Sequence, residues 1–520
     1  MNADFEYGEI GRVSGDRHAG SIFVSQEAAM TRNRDIRSIH RSHKQTPLIG
    51  TCMLIASSGL AISAETPQQD EPIGVTYPKF QTLRFEEDWT AFDPDNGTDF
   101  WDDAKHIKLN KDGSSWVGLG GQLRYRGETW KSFGFSPAST ADDAFSIGRL
   151  LVYSDWHIGE HFRVFVEGES AISSDRDLPG GVRGLDADVL DLQNAFADII
   201  FPFGESDDKV TLRLGRQGLL FGKQRLVSTL PWSNTQRSWD GGRVIVETHG
   251  WRIDAFYTRY TPVKKYEFND WKAGPDFWGV YATGKLGGDK NIGIDLYYLG
   301  LETDTAKTFN ATTGIEERHT VGARLFGSFG DSGFAYDVEG AYQFGDLGAA
   351  DISAYMFASQ LSYAFSDSGW NPKVYVGFDY ASGDETAGDT DVGTFNQLFP
   401  LGHAYNGYMD LIGRQNIIDL SAGVSFKPHK KILVKADFHN FTRAQSADSV
   451  YNAGGGVLRA TAAGASDSVG QEIDLTAKYL VDRHLTLQGG YSHFFTGDYF
   501  TDTGADEDID WVYFQVVYNF

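Results

Sequence analysis

From Trp116 to the C-terminus the chain repeats short stretches in which apolar and polar side chains alternate with a period of two, as in FRVFVEGESA, WRIDAFYTRY and KILVKADFHNF. This is the pattern of strands with one apolar face. About eighteen such segments are predicted, at 116–128, 144–157, 161–173, 188–201, 210–217, 241–248, 251–260, 277–286, 291–300, 317–328, 333–345, 351–363, 372–381, 415–426, 431–442, 471–479, 485–495 and 511–520. Alternation alone also fits a soluble sandwich, so the connections must discriminate. Those at 158–160, 249–250, 287–290, 329–332, 427–430 and 480–484 are tight, most of the intervening ones are much longer, and a short loop after Phe344 breaks the rule once. Short turns on one rim and long loops on the other belong to an even-stranded barrel with both termini on the inner side of a bacterial outer membrane. The expected fold is all-β: a transmembrane antiparallel up-and-down β-barrel over residues 116–520, with short periplasmic turns and long extracellular loops.

The N-terminal region reads differently. The apolar run LIGTCMLIASSGLAISA at 48–64 follows Arg32, Arg34, Arg37, Arg41 and Lys44, the order of a signal peptide with cleavage after Ala64. The basic stretch begins just after Met30, so translation is expected to start there, leaving 1–29 as a mis-assigned extension and 30–64 as the signal peptide. Residues 65–115 lack clear alternation and are expected to form either a periplasmic arm or a plug. No later segment is long and apolar enough for a membrane helix. At the other end, WVYFQVVYNF puts Val512, Phe514, Val516, Tyr518 and Phe520 on one face, and its closing aromatic resembles the signal read by the outer-membrane barrel assembly machinery.

Composition narrows the classes. With 46 basic against 71 acidic side chains the formal charge is −25, which repels nucleic acid, and a single cysteine makes neither an internal disulfide nor a zinc cage. At 41% hydrophobic the chain is too apolar for disorder, while a mean hydropathy of −0.35 is too polar for a helical membrane bundle.

Strand parity assigns faces, because Lys or Arg pointing into mid-bilayer lipid costs about 2 to 4 kcal/mol. With Leu119, Leu123 and Tyr125 outward, Arg124, Arg126 and Glu128 face the lumen. The same logic turns Arg163, Glu167, Glu169, Arg213, Arg252, Asp254, Arg318, Arg324, Lys435, Asp437, Glu472, Asp474 and Lys478 inward, toward a water-filled bore. Two readings stand for the strand arginines. They pair with wall carboxylates and fill a polar interior, or they form a track of weak sites for an anionic solute, since guanidinium stays charged and binds carboxylate through two parallel hydrogen bonds.

The segment LRLGRQGLLFGKQRLVSTLPWSNTQRSWDGGRV at 212–244 resembles the alginate export family of outer-membrane porins, as do FNQLFPLGHAYNGYMD (395–410), HNFTRAQSADSVYNAGGGVLR (439–459) and GGYSHFFTGDYF (489–500). The resemblance implies a monomeric barrel in the outer membrane, passively conducting a linear anionic polysaccharide through an arginine-lined constriction, with no cofactor. By position in the motif it implies Arg213, Arg216, Arg225, Arg237 and Arg243 as pathway residues, beside Arg124, Arg126, Arg163, Arg324 and Lys435 from parity. If Arg213 faces inward, Arg216 faces lipid unless a bulge near Gly215 re-aims it. The segment from Gly218 to Trp239 either folds into the mouth or packs outside on Trp232 and Trp239. Uptake of anionic oligosaccharides or small solutes is the alternative to export, and the lipids of the outer membrane are the other expected partner.

Other constellations are weaker. Asp506, Asp508 and Asp510 lack the glycine and distal glutamate of a calcium loop, and His157 and His161 flank a turn without a third ligand nearby, so no metal site is expected. The Asn-x-Ser/Thr sequences at Asn96 and Asn310 read as chance. Ser492 and His493 are adjacent, and neighbouring strand residues point to opposite faces, so they do not build a triad; no enzyme activity is expected.

Overall fold

Alternating apolar side chains can all be buried in lipid only if no strand edge is left unpaired, and the chain meets that demand by closing on itself. The computed structural model describes residues 77–520 apart from 205–207, 271, 273, 288–291 and 366–368; the predicted extension at 1–29 and signal peptide at 30–64 lie outside the described residues. Eighteen long strands follow one another: β1 (Ser115–Lys131), β2 (Asp143–Ile158), β3 (Phe162–Ser173), β4 (Asp188–Pro202), β5 (Lys209–Gln217), β6 (Ser238–Thr248), β7 (Trp251–Thr261), β8 (Asp276–Leu286), β9 (Ile292–Glu302), β10 (Glu316–Ser328), β11 (Phe334–Leu347), β12 (Ala350–Ala364), β13 (Lys373–Ala381), β14 (Ile417–His429), β15 (Ile432–Arg443), β16 (Ser468–Leu480), β17 (Leu485–Thr496) and β18 (Ile509–Asn519). Each pairs antiparallel with its chain neighbour, and β18 returns to β1, with Gln122 opposite Asn519 and Lys131 opposite Asp510. The all-β, eighteen-stranded barrel expected from the alternation is the observed fold.

Side-chain faces follow parity. Leu123, Val152, Ile172, Leu214, Val376 and Phe514 are exposed on the outer surface, while their neighbours Arg124, Leu151, Ala171, Arg213 and Tyr513 are buried inside. At the rim of short turns the outer surface carries a girdle of exposed rings, including Trp156, Phe162, Phe201, Phe329, Trp370 and Tyr479. Such belts sit at the headgroup level of a bilayer. On the opposite rim the connections are long except at 348–349, the one exception that the sequence pattern flags.

The bore is not the open aqueous channel that parity alone suggests. The third long loop (218–237) and the seventh (382–416) fold into it and pair with each other through a parallel bridge, Val227 to Phe399. Ser228 N donates to Phe399 O at 2.8 Å, Phe399 N to Leu226 O at 2.9 Å and Leu401 N to Gln224 O at 2.9 Å. Their apolar side chains Leu219, Phe221, Leu226, Phe395 and Met409 pack against the inward residues Phe256, Phe277, Tyr281, Tyr297 and Met356 of the wall. Inward-facing side chains are therefore of two kinds: charged ones, and apolar ones that hold the two loops.

From the turn rim a second insertion enters. A 3-10 turn (Arg84–Glu86) sends Leu83 and Phe85 against the inward rings of Tyr153, Phe165 and Phe196. Arg163 Nη2 donates to Phe85 O at 2.8 Å, and Arg84 bonds both Glu87 and Asn519. The turn around Leu83–Glu87 thus occupies the turn end of the bore.

Candidate solute pathway

Arg124 on β1 and Arg149 on β2 are direct cross-strand partners, both inward and nearly fully buried, with Arg126 two residues along. Like charges set directly opposite one another repel. Here a turn of the third loop meets them with oxygen. Leu230, at φ 56°, starts the turn, Ser233 N closes it on Leu230 O at 3.1 Å, and the next carbonyls point at the guanidinium groups. Arg124 donates to Pro231 O (3.0 Å), Trp232 O (3.0 Å), Ser233 O (2.5 Å) and Asn234 Oδ1 (3.2 Å). Arg149 donates to Ser233 O at 3.0 Å and Gln122 Oε1 at 2.7 Å. Arg126 reaches Trp232 O at 2.9 Å, lies 4.2 Å from the Trp232 ring centre and is the only one of the three bonded to a carboxylate, Glu128 at 2.7 Å. Trp232 in turn stacks on His403 of the seventh loop at 3.9 Å. Two buried guanidinium groups are thus met only by neutral oxygens, the weaker class of acceptor, and the Nε of each is buried without a partner.

The remaining sequence candidates are engaged differently. Arg163 holds Asp155 through two 2.7 Å bonds and Arg213 holds Asp198 through two of 2.8 Å. Arg243, cross-strand partner of Arg213, takes Asp254 at 2.8 Å. Arg324 bridges Asp295 (2.9 Å) and Asp337 (2.6 Å), Arg225 of the third loop bonds Asp337 and Glu339, and Lys435 meets Asp437 at 2.8 Å. Arg237 donates to Ser228 O and Pro400 O, tying the two inserted loops together. Arg216 is a correction to the pathway set. Register runs unbroken through Gly215, so no bulge re-aims it, and Arg216 stays opposite Ala195 and Asp240 on the outward parity of Leu214. At the loop rim it bonds Asp240, Asp191 and Asn269 O.

A chamber of about 90 Å³ lies between β10–β15 and the third loop, lined by Lys223, Lys373, Lys435 and Asp337 together with Tyr336, Tyr375 and Gln360. Lys223 Nζ donates to Gln360 Oε1 at 2.9 Å and stands 3.5 Å from Asp337. Burial, reinforced by the neighbouring Arg225, pushes the Lys223 ammonium down to about 7. Three lysines and one carboxylate thus line the chamber of a strongly acidic protein. Arg149, Lys223 and Lys373 are absent from the sequence-derived set. For Arg149 the signal was present, since it shares the parity of Ile147, Leu151 and Tyr153; Lys223 sits on a loop, where parity says nothing.

Ser492 and His493 do fall on different faces: Ser492 donates to Asp474 inside at 2.5 Å, while His493 bonds Asp510. His157 stacks on Trp116 at 3.9 Å, and His161 bonds the carbonyl of Ile200.

Comparison with known proteins follows the geometry. Three solved Pseudomonas aeruginosa structures share the fold: the outer membrane protein opdK (11% identity, 77% of this chain and 98% of that one, TM-score 0.52), OccK8 (OprE) (10%, 78% and 98%, 0.51) and the outer membrane protein OprD (13%, 77% and 93%, 0.50). No curated protein matches by sequence. The alginate export family model matches residues 115–512, from the first strand into the last. The chain belongs to the alginate export family, with the fold of an outer-membrane porin.

Proposed function

We propose that the protein is a passive outer-membrane conduit that lets an anionic, alginate-like polysaccharide pass outward along buried guanidinium groups. The observation that carries this reading is the Arg124, Arg126 and Arg149 cluster, whose donors are largely taken by the backbone carbonyls of Pro231, Trp232 and Ser233. A uronate carboxylate is a stronger acceptor than those carbonyls, so the cluster favours an anion over the loop that covers it. The wall ion pairs around Arg163, Arg213, Arg243 and Arg324 keep the rest of the bore polar without adding net positive charge, which prevents tight trapping of the solute. Family and fold are those of a channel rather than an enzyme.

A second reading, uptake of small anionic saccharides, is favoured by one observation: with the loops inserted, the lysine-lined chamber beside the third loop holds only about 90 Å³. Proteoliposome swelling tests the anionic preference common to both. Glucuronate should enter faster than glucose, and Arg124→Gln with Arg149→Gln should remove that advantage while leaving glucose entry in place. Equal rates for the two sugars in the unaltered protein would overturn the proposal.

A further inference from the structure

The aromatic girdle at the turn rim has a gap where the barrel closes. On β1 the outward residues near this rim are Ser115, Val117 and Leu119, none of them aromatic. At the end of β18 the rings of Tyr518 and the following Phe520 are present but half-buried, because something covers them. That cover is Trp101, from the segment before β1. Its ring lies 4.6 Å from that of Phe520, and its Nε1 donates to the Tyr518 hydroxyl at 2.8 Å. Phe520 in turn lies over the outer face of Gly121, where a Cβ would come within 2.7 Å of the ring, and the two residues exchange backbone hydrogen bonds of 2.8 and 3.0 Å. Trp101 is therefore outside the barrel wall.

The residue beside it is the most exposed large apolar side chain among the described residues: Phe100 is 86% accessible, touching Trp101 edge-on at 5.1 Å. The segment on either side is pinned. Asp99 bonds His484 in the β16–β17 turn at 2.8 Å, and Lys105 reaches back into the bore to the Tyr153 hydroxyl at 3.2 Å. The chain therefore passes from the bore under the seam, presents two rings on the outer surface and returns, so the finger is held at girdle height by contacts on both flanks.

We propose that Phe100 and Trp101 form a lipid-contacting finger that completes the turn-rim girdle at the closing seam, with Phe100 inserted among the headgroups of the inner leaflet of the outer membrane. The occupant is lipid because the finger continues the outward surface of Tyr518, Phe514 and Val512, which already faces acyl chains. An isolated exposed phenylalanine in water has no such neighbour, and rings of this kind are favoured where an apolar body meets a wet interface. The proposal is independent of the solute that the barrel conducts.

The test uses the full chain with Cys52→Ser and a single reporter, Phe100→Cys, carrying an environment-sensitive fluorophore in phosphatidylcholine vesicles that contain a headgroup-nitroxide lipid. The expected result is a blue-shifted emission, quenching by the nitroxide and loss of iodide quenching, matching a girdle control at Trp370→Cys. A reporter that behaves like the exposed Lys111→Cys, red-shifted and open to iodide, overturns the proposal. Trp101→Cys supplies a second reporter should the first fail to fold, with the same two outcomes. Failure here would leave the conduit reading intact.

Discussion

Removing Arg213 separates a structural arginine from one that serves a solute. Arg213 and Asp198 are 4% and 1% exposed and share two 2.8 Å bonds. The guanidinium is sandwiched between the rings of Phe196 at 3.8 Å and Phe85 at 4.5 Å, so little water reaches the pair. Arg213→Leu strands the Asp198 carboxylate, because its other cross-strand partner, Arg163, is already taken by Asp155. Breaking a buried pair from one side costs about 3 to 5 kcal/mol, whereas replacing both partners with apolar groups is close to neutral. We therefore expect Arg213→Leu to destabilise the barrel by about 3 kcal/mol, the lower end because Arg163 remains opposite Asp198, and Arg213→Leu with Asp198→Leu to recover most of that loss. Urea unfolding of the reconstituted barrel, followed by heat-modifiable gel mobility, measures both. A cost below about 1 kcal/mol for the single variant, or a double variant as unstable as the single, would mean that the pair is solvated and that Arg213 is free for solute.

Three further outcomes follow from the geometry. Lys223, held down near 7, is charged below that value and neutral above it, so anion preference should be stronger at about pH 6 than at about pH 8, and Lys223→Gln should flatten the dependence in reversal-potential measurements. Although burial opposes it, the guanidinium groups of Arg252, Arg213 and Arg243 hold Glu86 down to about 2, so its contribution is present above the ordinary carboxylate range and is lost as pH falls through that range toward 2. Limited proteolysis should then find the segment before β1 released on acidification, and more readily cleaved at neutral pH in Glu86→Gln. Gly222, at φ +51°, has room for no side chain, since a Cβ would lie 2.1 Å from the Tyr281 hydroxyl. Gly222→Ala should displace the tip of the third loop and cost about 1 to 3 kcal/mol in the same urea assay.

Much of the barrel was legible because its information is local. FRVFVEGESA names its own faces, and the strand it predicts at 161–173 is β3 (Phe162–Ser173) to within a residue. The inward aim of Arg124, Arg163 and Arg324 followed from the same period, since each sits between outward apolar neighbours that lipid requires. What the bore contains was not legible, because it depends on contacts between distant segments. Val227 meets Phe399, and Arg225 finds Asp337 and Glu339 on β11, and no periodicity encodes either meeting. The family-like segments at 212–244 and 395–410 contain the parts of the two loops that pair inside the barrel. Their resemblance therefore marked the bore contents without revealing the geometry. Arg216 shows the limit from the other side: parity gave the outward answer, and the motif alone pointed inward.

The proposed function requires Arg124 and Arg149 to make the bore selective for anions. Reversal potential across a planar bilayer under a potassium chloride gradient tests it most directly, comparing the unaltered protein with Arg124→Gln and Arg149→Gln combined. The unaltered protein should be anion-selective and blocked by added oligouronates, and the double variant should shift toward cations and lose the block. Cation selectivity in the unaltered protein, or a double variant with unchanged reversal potential and block, would contradict it.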